Sequence, residues 1–158
     1  MKKLIGIIAI LTIIFIYGCS KQPSSIKAKQ DGKPLIVMYG DFKCPYCKKV
    51  EDKVMPKLRN KYIDKNKVKF QYVNLAFIGK DSIIGSRAQQ AVNHYAPKYS
   101  LQFQKLMFEH QKDEDKKWIT HTLIDKQIDK LNISNKTKDK IKTNYKTKNS
   151  TSWKAAEK

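Results

Sequence analysis

The stretch Leu35-Ile36-Val37-Met38-Tyr39-Gly40-Asp41-Phe42-Lys43-Cys44-Pro45-Tyr46-Cys47 decides the fold. Its first five residues form a continuous apolar run, which suits a strand buried on both faces. Gly40 to Lys43 turn the chain, and a helix is expected to begin around Cys44. Pro45 is at home in a first helical turn, where its missing N–H leaves no partner unpaired. Val50, Val54, Leu58 and Tyr62 recur four apart, an apolar stripe expected to lie against the sheet. Pro56 interrupts the hydrogen-bond ladder and predicts a kink rather than a stop. Val68, Phe70 and Tyr72 alternate with Lys69 and Gln71, marking a second strand that runs to Val73. Strand, helix and strand with a short return make a βαβ unit.

Beyond Phe77 the period changes from two to that of helices. Ala88, Ala91, Val92 and Tyr95 mark a short helix ended by Pro97. Phe103, Leu106, Met107 and His110 mark a second, and Trp118, Ile119, Leu123, Ile124, Ile128 and Leu131 a third. Ser134 is placed to cap a fourth that carries Ile141 and Tyr145. Trp153 to Lys158 reads as the start of another helix. No convincing strand follows Phe77.

The cysteine pair carries the chemistry. Thiol–disulfide exchange needs a thiolate that attacks and a second thiol close enough to resolve the mixed disulfide. Cys44, ahead of the helix, meets unpaired N–H groups and the positive end of the dipole, which favour a negative sulfur. Cys47 points back into the first turn and is expected to resolve rather than attack. Pro45 holds the turn, and Tyr46 presents an aromatic face without a cation. A structural staple is the first competing reading, but a bridge across four residues closes almost no loop entropy. A zinc half-site is the second, and it would need two further ligands. His94, His110 and His121 lie in amphipathic helical segments without ligand spacing. No metal and no cofactor are therefore expected.

The ends of the chain bear on location. Met1-Lys2-Lys3 is a short positive region, followed by thirteen uncharged residues from Leu4 to Ile16. That is a secretory signal in outline, too short to cross a hydrocarbon core of roughly 30 Å. Ile16-Tyr17-Gly18-Cys19 resembles a bacterial lipobox, in which a diacylglycerol is attached to the cysteine; Tyr17 is bulkier than usual there. The resemblance implies a lipid on Cys19 and attachment to the outer face of a cell membrane. Residues 20–32 are polar and read as a flexible tether. The formal net charge is +19, or +17 without Lys2 and Lys3. Such a field draws anionic lipid, cell-wall polymers and acidic client surfaces. Base-specific nucleic-acid binding is excluded, because only Arg59 and Arg87 among the 33 basic residues offer the planar fork that reads bases.

The run Met38 to Cys47, with Val54-Met55-Pro56, Val73-Asn74-Leu75-Ala76 and the helical segment from Gly85, resembles the DsbA group of thioredoxin-fold thiol oxidases. It is close to the DsbA lipoproteins of staphylococci and related Gram-positive bacteria. The resemblance covers nearly all of Leu35 to Lys158. It implies an α/β thioredoxin-like fold with an inserted helical domain. It also implies an oxidoreductase in which Cys44 forms the mixed disulfide and Cys47 resolves it, tuned by Pro45 and Tyr46. Its partners would be reduced exported proteins and an unidentified reoxidant. The chain then divides into a signal at 1–18, a lipid-anchored tether at 19–33 and the βαβ part at 34–79. The helical domain occupies 80–146, and 147–158 starts a C-terminal helix.

Two departures from that family stand out. Tyr46 occupies the position where many members carry a thiolate-stabilising histidine. No proline follows Pro97, so the family's cis-proline loop and the strands that flank it are expected to be missing, as if the C-terminal part of the sheet were absent. A reductase or isomerase of the same fold, or a lipid-anchored binding protein with an inert pair, are the competing functions.

Overall fold

The computed structural model describes residues 29–157, so the leader, Cys19 and most of the segment read as a tether lie outside the described residues. The last part of that segment is not a plain tether. Strand β1, Lys29–Gln30, pairs antiparallel with β2, Lys33–Gly40, in the register Lys29↔Pro34 and Gln30↔Lys33. The loop between them is Asp31-Gly32, with φ of 52° and 73°. Two left-handed residues in a two-residue loop match the right-handed twist of paired strands, and Asp-Gly accepts that backbone readily. The signal was present in the sequence, masked by the polar composition around it.

Strand β2 runs parallel to β3, Lys69–Asn74, in register from Leu35↔Lys69 to Gly40↔Asn74. The sheet order is β1-β2-β3, and no strand follows Asn74 among the described residues. This is a thioredoxin-like α/β arrangement with a small sheet and a set of inserted helices. The expectation that β2 is buried on both faces is corrected: Leu35 to Met38 are half-buried and Tyr39 is exposed. β1 flanks only its first residues, and the described helices cover its faces incompletely.

The helix after β2 is broken as Pro56 requires. Helix α1 is Pro45–Lys53, α2 is Met55–Leu58, and Arg59–Ile63 continues as a π-helical turn. Pro56 has no N–H to give the carbonyl four residues back, which interrupts the ladder at Val54. Before that wide turn the inward face is already that of Glu51 and Met55, one residue on from Val50 and Val54, and the turn itself rotates the chain at Tyr62. Val54 and Tyr62 are exposed, correcting the expectation that they pack on the sheet, while Glu51 and Met55 turn inward. The buried Glu51 carboxylate is held by Arg59 Nη2 at 2.8 Å and Gln104 Nε2 at 2.8 Å.

The helical part follows the apolar periodicity. Helices α3, Ser82–Tyr95, α4, Ser100–Glu109, α5, His121–Asp129, α6, Asn135–Lys146, and α7, Thr151–Ala156, surround one core. Trp118 and Ile119, read as the start of the third helix, precede it instead; Thr120 caps α5 by accepting the Leu123 N–H. Ser134 caps α6 through the Thr137 N–H and Ser150 caps α7 through that of Trp153. The core gathers Phe42 and Tyr72 from the βαβ part with Val92, Phe103, Met107, Phe108, Ile124, Ile128 and Tyr145.

Candidate active site

Both cysteines sit where β2 ends and α1 begins. The Cys44 N–H donates to the Asp41 carbonyl oxygen at 3.0 Å, closing the turn. Cys44 is the N-cap of α1, and its Sγ accepts the backbone N–H of Cys47 at 3.3 Å. A sulfur in that position takes the place of a capping oxygen, and negative charge on it is favoured by the helix N-terminus. Cys47, one turn on, is also a free thiol and half-buried. Burial first, and the hydrogen bond with Cys44 second, push its thiol up to about 11. The environment thus distinguishes the sulfurs: one caps the helix, and the other is kept protonated.

Pro45 occupies the first helical position, and Tyr46 is 73% exposed with Lys49 Nζ 5.1 Å from its ring centroid. The structure brings Cys44, Pro45, Tyr46 and Cys47 together on one turn. Cys19 lies outside the described residues. Among the described residues no group of three or more His, Cys, Asp and Glu could hold a metal ion.

A buried polar frame holds this turn, and no local pattern in the sequence announces it. The fully buried Asp41 accepts from the Lys43 N–H at 2.8 Å, the Ser82 hydroxyl at 2.9 Å and the Ile78 N–H at 2.9 Å. Lys43, 3% exposed, reaches Asp81 Oδ1 at 2.9 Å. The other oxygen of Asp81 accepts the N–H groups of Trp118 and Ile119, both at 3.1 Å. Burial raises the Asp81 pKa, but the Lys43 hydrogen bond and these backbone donors outweigh it and hold the carboxyl below its ordinary value. Gln111 donates through Nε2 to the carbonyl oxygens of Phe42 at 2.6 Å and Cys44 at 3.0 Å. Polar residues in a strand–helix turn read as solvated. Their partners lie 37 to 69 residues away, and periodicity does not report such distances.

Below the turn, Gly40 makes room for two side chains. A Cβ there would meet Cys47 Sγ at 2.9 Å and the ring and hydroxyl of Tyr72 at 3.2 Å. Glycine is needed here for close approach, not for an unusual backbone.

Comparison with known proteins agrees with this geometry. The family model described as Thioredoxin matches residues 26–158. Disulfide bond formation protein D of Bacillus subtilis is 36% identical over 109 residues, covering 66% of this chain and 49% of that protein. A probable disulfide bond formation protein D of Bacillus cereus is 38% identical over 96 residues, covering 61% of this chain and 44% of that protein. The chain thus spans about half the length of these relatives. Among solved structures, oxidised BdbD of Bacillus subtilis is 32% identical with a TM-score of 0.63, covering 74% of this chain and 63% of that one. DsbA of Chlamydia trachomatis shares the fold at 18% identity and a TM-score of 0.62, covering 80% of this chain and 71% of that one. These relatives are bacilli and a chlamydia, so the narrower likeness to staphylococcal lipoproteins stays a reading of the sequence. The chain belongs to the thioredoxin family and is similar to its disulfide-forming members.

Proposed function

We propose that this chain is an extracytoplasmic thiol–disulfide oxidoreductase that donates a Cys44–Cys47 disulfide to reduced exported proteins. The observation that carries the reading is the Cys44 sulfur acting as N-cap of α1, with Cys47 held behind it. A client thiolate attacks Cys44 Sγ, the Cys44–Cys47 bond breaks, and its electron pair goes to Cys47. A second client thiolate then attacks the client sulfur of the mixed disulfide, releasing Cys44 as a thiolate and leaving the client oxidised. The two electrons now on the pair pass to a separate reoxidant. In the reverse direction Cys47 is the resolving thiol. Pro45 fixes the first turn, and Tyr46 offers an aromatic face to a client chain. A lipid on Cys19 holds the domain at the outer face of the membrane, in keeping with the lipobox-like sequence and the positive charge. The name of the Bacillus subtilis relative describes disulfide formation, which supports the donor direction.

The reduction potential, equilibrated against glutathione, tests the direction. The donor reading expects a value well above that of thioredoxin; one near about −270 mV would place the chain among the reductants. Mass spectrometry of the mature N terminus reads the lipid on Cys19 directly.

A further inference from the structure

The Tyr72 side chain presents an unexplained polar atom next to the reacting sulfurs. Tyr72 is 2% exposed, and its hydroxyl is buried without a hydrogen-bond partner. Leaving a buried donor unpaired costs about 1–3 kcal/mol. Its ring is held by aromatic neighbours, with centroids 5.5 Å from Phe42 and 5.9 Å from Phe108. β3 pairs it with Met38 on β2, two residues before Gly40. The hydroxyl and Cys47 Sγ converge on one point, since a Cβ on Gly40 would lie 3.2 Å from the first and 2.9 Å from the second. Both atoms therefore border the space that the missing side chain of Gly40 leaves open.

We propose that the Tyr72 hydroxyl is the hydrogen-bond donor that stabilises Cys47 as a thiolate when the Cys44–Cys47 disulfide opens. The inference rests on the redox reading of the pair. When a client thiolate attacks Cys44, the client–Cys44 bond forms, the Cys44–Cys47 bond breaks, and the electron pair settles on Cys47 Sγ. That sulfur is half-buried and its ordinary state is the thiol, so it is a poor leaving group without a donor. The Tyr72 O–H supplies one without surrendering its proton, because burial first, and the neighbouring Cys47, Asp41 and Cys44 next, push its pKa well above the ordinary value. Cys47 later takes its proton from solvent.

The test is the rate at which a small dithiol opens the oxidised full-length chain, compared with Tyr72→Phe. The variant removes one oxygen and keeps the ring against Phe42 and Phe108. It is expected to open about tenfold more slowly, one lost hydrogen bond to a charged group being worth at least that factor. Cys44 alkylation in the reduced chain and the glutathione equilibrium should not change, since in that state Cys47 is a thiol. A merely structural role would move those two readouts with the rate. Difluorotyrosine at position 72 is a second probe of the same shape with a stronger donor, and it should open the bond faster than the parent. Equal opening rates for all three forms overturn the assignment of the hydroxyl while leaving the redox pair intact. A parent chain that does not exchange at all overturns the reading of the pair, and this inference with it.

Discussion

The βαβ part and the helical part are built to different standards of burial. All six large apolar residues that stand exposed among the described residues, Tyr39, Tyr46, Val54, Tyr62, Leu75 and Phe77, lie in the first. The helical part buries Val92, Phe103, Met107, Phe108, Ile119, Ile124, Ile128, Ile141 and Tyr145 almost completely. Burial of a large aliphatic or aromatic side chain is worth about 1.5–3 kcal/mol, so stability is concentrated in the helices. The reactive turn belongs to the loosely covered part but is fastened to the other by Phe42, Asp41, Lys43 and Gln111. Chemistry is thereby placed at an accessible rim while its geometry is borrowed from a packed interior.

The strongest way to break this division is to remove the apolar fastener. Phe42 is fully buried and meets the rings of Tyr72, Phe103 and Phe108. Phe42→Ala is expected to cost about 3–5 kcal/mol in chemical denaturation and to loosen Cys44 and Cys47 together. Val54→Ala, on the exposed side of the same part, should change stability by less than about 0.5 kcal/mol. Equal losses from the two would erase the contrast.

Next in size is the ionic fastener. Asp81→Asn leaves Lys43 charged and buried, and should cost about 3 kcal/mol, the lower end for breaking a buried pair because an amide oxygen remains to accept. Its pH signature has a definite sign. Asp81 binds its proton more weakly folded than unfolded. Its contribution is therefore complete above the ordinary carboxylate value near about 3.9 and fades as pH falls through the lower folded value. Glu51 works against it: burial foremost raises its pKa, with Arg59 and Gln104 opposing, so it binds its proton more tightly folded. Asp81→Asn should flatten the acid limb of the stability profile. An unchanged limb would deny Lys43–Asp81 its place between the two parts.

The smallest effect sharpens the comparison from the helical side. Ser134→Ala removes the N-cap of α6 and should cost about 1 kcal/mol, read as a lower melting temperature. Cys44 alkylation below the transition should stay as it was. A changed alkylation rate would mean that the site senses the far helices more directly than its fasteners allow.

Legibility from sequence divides along a similar line. Ser134, Ile141 and Tyr145 specified a capped helix and its buried face, because helical periodicity and capping are local properties. The βαβ unit was legible for the same reason, from the alternation around Tyr72 and the proline after Cys44. What escaped was set by geometry at a distance. Val54 kept the right spacing but sits one residue off the face that Glu51 and Met55 turn inward, and Tyr62 lies in the wide turn after Pro56. Asp41, Lys43, Asp81 and Gln111 resemble ordinary surface residues until the fold brings them within hydrogen-bonding distance. Tyr72 was read as one apolar residue of a strand, and nothing in the alternation says that its hydroxyl ends beside a sulfur.

Lys43 has one more consequence. It is the sole buried lysine among the described residues, where the other lysines are half-buried or exposed. An amine-reactive reagent would therefore mark the other described lysines first and leave this one blank. Its delayed labelling becomes a clock for the detachment of the reactive turn, readable by peptide mass spectrometry and needing neither an added reporter nor a substitution.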